Sequence, residues 1–292
     1  MSSHDHPGAR RQTVAEWLLT AAPFTWLFIL FVIPTALVFA IAFKPSDPWG
    51  GVGAGWTLET VRSLRNPNYP AIIWRTLWIS AVTTVSCIAL ALPCGYYIAR
   101  APYRWRRLLV LLTVIPFWTS FLIRIFAWKV LLHPDGYVKR ALVFLRLADA
   151  DAILLYHAGT VLLVMIYTLL PFAILPIYAA AERFDFRLVE AARDLGASRW
   201  RAFRQIFLPG IRRGLLTAVL MVLIPSLGMY IIPDIVGGTR SEMIGNKIAQ
   251  RTFVDRNLPH ASALSASLTL AVMAPMLWVL YMQGRRRGET RP

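Results

Sequence analysis

Few residues in this chain have the types and spacing that chemistry on a bound molecule would need. His4, His6, His133, His157 and His260 are scattered, and they form neither an HExxH pair nor a cluster with cysteine. There is no GxSxG elbow, and Gly245-Asn246-Lys247 lacks the GxxxxGK(S/T) frame of a phosphate-binding loop. Cys87 and Cys94 lie seven residues apart in one apolar run, a spacing that places both on one helical face as small buried hydrophobes. These absences exclude nucleotide hydrolysis by the chain itself and argue against an enzyme. Recognition is what remains. Arg124, Lys129 and Asp234 sit in or at the edge of apolar runs that also hold Trp118, Trp128 and Tyr230. A carboxylate and aromatic ring faces suit an organic cation. The same rings also serve as membrane-belt or packing residues. Arginine at a bilayer centre costs about 2.5–3.5 kcal/mol. Arg124 is displaced from the centre of its run, so it reads either as a snorkelling anchor or as part of a path or gate, with Lys129 interfacial. Asp234, just after Pro233, reads as a path residue, a helix cap or a partner of Arg124.

The elements that must position these residues are membrane spans. Of 292 residues 57% are hydrophobic, and the apolar runs are unbroken rather than periodic. Leu18 to Phe43, Thr76 to Ala99, Ala152 to Ala181, Gly214 to Pro233 and Ala261 to Gly284 contain no Asp, Glu, Lys or Arg. Each is long enough to cross a bilayer as a helix, which takes roughly 20 residues. Leu108 to Leu132 also qualifies, although it carries Arg124 and Lys129. The expectation is an all-α integral membrane protein with six transmembrane helices, at 18–43 and then about 71–99, 108–132, 152–181, 214–237 and 261–283. The first run is too long for a signal-peptide core and reads as an uncleaved helix. The flanks are a polar tail at 1–17, an outer loop at 44–70 rich in Pro, Gly and Trp, and a tail at 284–292.

Charge sets the orientation. The formal charge is +16, and the 28 basic residues outside the spans divide unequally. Residues 1–17, 100–107, 182–213 and 284–292 hold 18 of them, against 10 in 44–70, 133–151 and 238–261. The richer set is expected in the cytoplasm with both termini, so the basic balance reports topology and attraction to lipid rather than to nucleic acid.

The inner loop at 182–213 reads as two short helices. Asp185 can cap the first, Gly196 stops it in a left-handed conformation, and Ser198 caps the second. Trp200, Phe203 and Phe207 then form one stripe. The loop also carries a fixed pattern, Glu190-Ala191-Ala192, then Gly196, Ile206, Leu208 and Pro209. That spacing, E-A-A-x(3)-G-x(9)-I-x-L-P, resembles the cytoplasmic signature of binding-protein-dependent ABC importer permeases, with no position departing. "RTLWISAVTT" (75–84), "PFWTSFLIRIFAW" (116–128) and "GNKIAQRTFVDRNLPHASALS" (245–265) resemble the spermidine/putrescine-type members. Related iron, sulfate and opine-type permeases share parts of these patterns.

The resemblance implies a type I ABC importer permease architecture with its transmembrane core over 71–283, in a bacterial inner membrane. It implies that Glu190, Ala191, Ala192, Asp194, Leu195, Gly196, Ile206, Leu208 and Pro209 form a coupling loop seated on a cytosolic ATPase. It further implies ATP and Mg on that ATPase and none on this chain, a dimer of permease subunits that are often two different chains, and a periplasmic substrate-binding protein. The cargo it implies is a polyamine or related organic cation. The rival reading is a self-contained carrier or channel whose inner loop touches only lipid or a regulator.

Overall fold

The computed structural model describes residues 7–288 apart from 68, 147, 148 and 150, with side chains described for 21 and for 23–273 within that range. Of the tails expected at 1–17 and 284–292, residues 1–6 and 289–292 lie outside the described residues. The chain forms two compact units, residues 1–66 with 250–292, and residues 67–249. Among the described residues it is helical, with one isolated antiparallel bridge between Ser46 and Val52.

The first unit comprises α1 (Pro7–Ile41), α2 (Glu59–Arg62) and α14 (Leu258–Gly288). α1 begins at Pro7, so residues 7–17 are helical rather than the irregular tail expected from their polarity. The stretch Pro23–Ile41 is long and apolar enough to cross a membrane. Ala42, Ala263 and Ala266 are buried together, with Phe39 and Leu64 packed on them. Small side chains at such a contact let helix backbones approach closely. The Pro- and Gly-rich loop after α1 is held by turns. Gly50, Gly51 and Gly55 have positive φ, Gly53 N–H donates to the Pro45 carbonyl at 2.8 Å, and the Lys44 ammonium lies 4.8 Å from the Trp56 ring centroid.

The second unit runs α3 (Tyr69–Arg100), α4 (Tyr103–Val114), α5 (Phe121–Leu131), α6 (Tyr137–Phe144), α7 (Ala158–Glu182), α8 (Arg187–Asp194), α9 (Arg199–Ala202), α10 (Leu208–Gly210), α11 (Arg212–Leu227), α12 (Ile231–Val236) and α13 (Ile244–Ala249). α3, α7 and α11 pack against one another around a core that includes Cys87, Ala91, Met165, Ile177, Ala218 and Val222. Small residues set the spacing. A β-carbon on Gly95 would stand 2.7 Å from Cγ2 of Ile177, and one on Gly214 would run into Ala180. Cys87 is buried as expected, but Cys94 is exposed, because it opens onto a hollow between α3, α4 and α7.

Three of the expected spans are single helices: Pro23–Ile41 of α1, α3 and α7. The stretch 108–132 is not one helix. Pro116 sits in a 3-10 turn, Ile115–Trp118, and Thr119 and Ser120 are extended, so Tyr103–Trp118 meets α5 at 90°. The fifth stretch is also broken, and a further bend lies just ahead of it. Arg199–Gly210 meets α11 at 75°, and α11 stops at Leu227 before Gly228, with α12 following as a separate turn of helix. α7 starts at Ala158 rather than 152, because the chain ahead of it is pinned in a non-helical path. Tyr156 has φ +65° and its N–H donates to the Val236 carbonyl, while the Thr160 hydroxyl donates to the Leu154 carbonyl. The sixth stretch lies in α14, of which Leu258–Met273 is the apolar part described with side chains.

Candidate functional site

The 182–213 segment is a helical hairpin, built from its own sequence signals. The Asp185 carboxylate accepts from Arg187 N–H at 3.0 Å at the start of α8. α8 ends in a Schellman motif around Gly196. Gly196 N–H donates to the Arg193 carbonyl at 2.9 Å, and Ala197 N–H reaches back to the Ala192 carbonyl at 3.0 Å. Gly196 itself has φ +89°, and a β-carbon there would meet nothing of this chain within 4 Å. Ser198 then caps α9, its hydroxyl accepting from Arg201 N–H at 3.2 Å. Past α9 the helix widens into one π turn, Phe203–Phe207, in which Leu208 N–H donates to the Phe203 carbonyl. Pro209, next in the chain, has no N–H to continue the ladder.

The hairpin is fastened to α3 by an aromatic cluster. The Phe207 ring is fully buried, and its centroid lies 4.9 Å from Tyr96, 5.3 Å from Phe203 and 5.4 Å from Phe184. Tyr96 also meets Phe186 edge-on at 5.7 Å. Arg100, in the last turn of α3, donates to the Tyr96 hydroxyl at 2.9 Å, lies over the Phe186 ring, and pairs with Glu190 at 3.3 Å. The stripe of Trp200, Phe203 and Phe207 is legible from spacing. Tyr96 and Arg100 are functional neighbours that spacing misses, because Arg100 and Glu190 are 90 positions apart in the chain.

Fastening one face frees the other. Val189 is buried beneath α8, whereas Glu190, Ala191, Asp194, Leu195 and Gly196 face outward, with Leu195 90% exposed. Ala192, Ile206 and Leu208 are half-buried, and Pro209 is exposed. The result is a knob with a small-residue surface, a protruding leucine at its tip and two acids, a form suited to seating in a groove.

The residues considered for a path are spread more widely. Trp118 is exposed at the end of the 3-10 turn, beside the break. Arg124, on α5, lies over the Phe117 ring at 5.8 Å across that break, and its Nε is buried without a hydrogen-bond partner. Trp128 packs edge-on against Tyr167 of α7 at 5.4 Å, a packing role. The Tyr230 carbonyl accepts from the Asn246 amide at 3.0 Å. Asp234 is exposed in the first turn of α12, and its carboxylate neither caps that helix nor pairs with Arg124 among the described residues. The capping and pairing readings of Asp234 are therefore set aside. α12 does pack against α5 and α7, so Asp234 and Arg124 stand on adjoining elements.

Comparison with known proteins adds a family. The model of the binding-protein-dependent transport system inner membrane component family matches residues 88–287. The chain is 36% identical over 264 residues to the spermidine/putrescine transport system permease protein PotB of Haemophilus influenzae, covering 90% of this chain and 92% of that one. It is 32% identical to the PotB of Escherichia coli, covering 89% and 94%. Its fold is similar to a chain of a bacterial ABC transporter involved in import of the acidic polysaccharide alginate, with TM-score 0.66, 20% identity and coverage of 97% and 99%. A second structure of a bacterial alginate ABC transporter, in complex with alginate pentasaccharide-bound periplasmic protein, matches with TM-score 0.70, 17% identity and coverage of 94% and 96%.

Proposed function

The chain belongs to the binding-protein-dependent transport system inner membrane component family, and from that premise we propose that it is the permease subunit of an ATP-driven importer of a polyamine of the spermidine/putrescine kind. The observation that carries the substrate is the 36% identity to a spermidine/putrescine permease over nine-tenths of the chain. The outward face of α8, ending at Gly196, supports docking of a separate cytosolic ATPase, which would hold the ATP and Mg. A second permease subunit and a periplasmic binding protein complete the assembly. The periplasmic protein bound in one of the alginate transporter structures supports the latter. The excess of basic residues in 182–213 and at both ends supports a cytoplasmic position for those segments.

The test is uptake of labelled spermidine or putrescine into proteoliposomes. Uptake should require ATP, the ATPase, the second permease and the binding protein together. Accumulation by this chain alone would establish a carrier and end the importer reading. Import of an anion by the complete system would reject the polyamine. Asp234 is an exposed acid with no ion pair among the described residues, so Asp234→Asn should slow uptake at subsaturating polyamine with complex abundance unchanged. Wild-type rates in that variant would remove Asp234 from the path.

A further inference from the structure

Two hollows adjoin beside the α8–α9 hairpin, and the coupling role uses neither. The first, about 630 Å³, lies between the last turns of α3 and the hairpin, with Tyr97, Arg100, Arg193, Arg199 and Trp200 in its wall. The second, about 530 Å³, runs between α3, α4 and α7 and is lined by apolar side chains such as Cys94, Leu109, Leu112, Leu170 and Ile174. Pro93 and Tyr97 line both. One end is basic and the other apolar.

The charge at the basic end is available. Arg100 is engaged by Glu190, but Arg193 and Arg199 form no ion pair among the described residues. Guanidinium groups bind phosphate through paired, charge-assisted hydrogen bonds. Depth supplies the second argument. Arg100 is the last residue of a helix long and apolar enough to span a membrane. Pro93 lies roughly 10 Å deeper along the axis, at about 1.5 Å per residue. The arginines therefore stand at headgroup level, and the apolar groove begins where acyl chains do. Tyr97 and Trp200 expose their rings there, as interfacial aromatics do. Basic pockets at this level select anionic headgroups, since a zwitterionic lipid brings its own cation.

We propose that the two hollows together form a site for one anionic phospholipid, its phosphate held by Arg193 and Arg199 and one acyl chain lying in the groove between α3, α4 and α7. A lipid so placed fills the angle between a membrane-spanning helix and the hairpin, and would steady the hairpin against the bundle.

The experiment uses the assembled complex in vesicles of equal parts phosphatidylcholine and phosphatidylglycerol. The complex is extracted into mild detergent, and the retained lipid is identified by mass spectrometry. Phosphatidylglycerol should be enriched several-fold over its input share. Arg193→Gln with Arg199→Gln should abolish the enrichment, whereas Arg199→Lys, which keeps the charge, should preserve most of it. Cys94→Phe fills the tail groove without touching the arginines and should lower retention of the same lipid. Excess inorganic phosphate should not displace it, because phosphate has no chain to occupy the groove. Retention at the input ratio, glutamine and phenylalanine variants that behave as wild type, or displacement by inorganic phosphate would each overturn the proposal. So would lipid that accompanies the isolated subunit but not the assembled complex, since a protein surface would then cover the cleft. Retention is read without transport, so its failure and a failure of polyamine uptake are separate results.

Discussion

A single β-carbon at Gly196 separates two accounts of the hairpin. The site has φ +89° and open space around it, so Gly196→Ala carries only the backbone cost of a left-handed residue, about 1–2 kcal/mol. The protein should still insert and keep most of its uptake. Gly196→Asp carries a similar backbone cost, and it adds bulk and charge on the face that would meet the ATPase. We expect uptake to collapse with membrane abundance retained and ATPase co-purification weakened. Equal uptake by the two variants would mean that this tip meets only solvent. Glu190→Ala should be milder than Gly196→Asp. Its ion pair with Arg100 is exposed on both sides (38% and 56%), and such pairs contribute about 0–1 kcal/mol. At this scale the sequence was readable because the signals are local. Asp185, Gly196 and Ser198 each act within three residues of themselves. Arg100 and Tyr96 were not readable, since their partners come from a distant helix and no periodicity links the two.

At the scale of elements, helix–helix distance is set by glycines, and two of them differ in what they face. A methyl at Gly95 would press hardest on Cγ2 of Ile177, a side-chain atom, with the nearest backbone atom, the Tyr178 nitrogen, farther off at 3.2 Å. A methyl at Gly214 would meet Ala180 and also stand 2.8 Å from the Pro176 carbonyl oxygen, which is backbone and cannot rotate aside. Overpacking of this kind costs about 1–3 kcal/mol, and Gly214→Ala should lie at the upper end. The unfolding midpoint in detergent should therefore fall further for Gly214→Ala than for Gly95→Ala. The reverse order would mean that α11 yields more easily than Ile177. Element boundaries were the least legible feature. Apolar length located the spans, but it carries no record of direction. The 90° break after Trp118 left only Pro116 as a mark, and Pro34, Pro93, Pro171, Pro176 and Pro225 sit inside continuous helices. One proline residue type thus gives both outcomes, and tertiary packing decides between them.

For the whole molecule, the lasting constraint is the sidedness of its charge. With 18 basic residues in one set of alternate loops and 10 in the other, position 200 should be cytoplasmic and position 60 external. Single cysteines at these positions test this, in a background from which Cys87 and Cys94 have been removed. Cys94 must go because it is exposed and would itself react. Labelling of position 200 by an impermeant external reagent would invert or break the topology. The fold class was legible from hydropathy alone, and the family from seven residues at fixed gaps. Cargo was not legible at this scale, because the spans hold almost no acids that would declare a cationic substrate.

The break between Trp118 and Phe121 also bears on where the bilayer is wet. Arg124 N–H, donating to the Ser120 carbonyl at 3.2 Å, makes the first helical hydrogen bond of α5. The amides of Phe121, Leu122 and Ile123 precede it, as the opening amides of any helix do. Hydrocarbon offers them no acceptor, and non-helical backbone at membrane depth persists only where protein or water surrounds it. Trp118, Leu122 and Ile123 are exposed beside them. We expect solvent to reach into the thickness of the membrane along this side of the protein, thinning the insulating layer locally, unless the second permease subunit covers the break. Amide exchange of the complex in lipid nanodiscs should show Phe121 to Ile123 exchanging within seconds while the buried turns of α7 stay protected for hours. Slow exchange at those three amides would place another protein surface, not water, against the break.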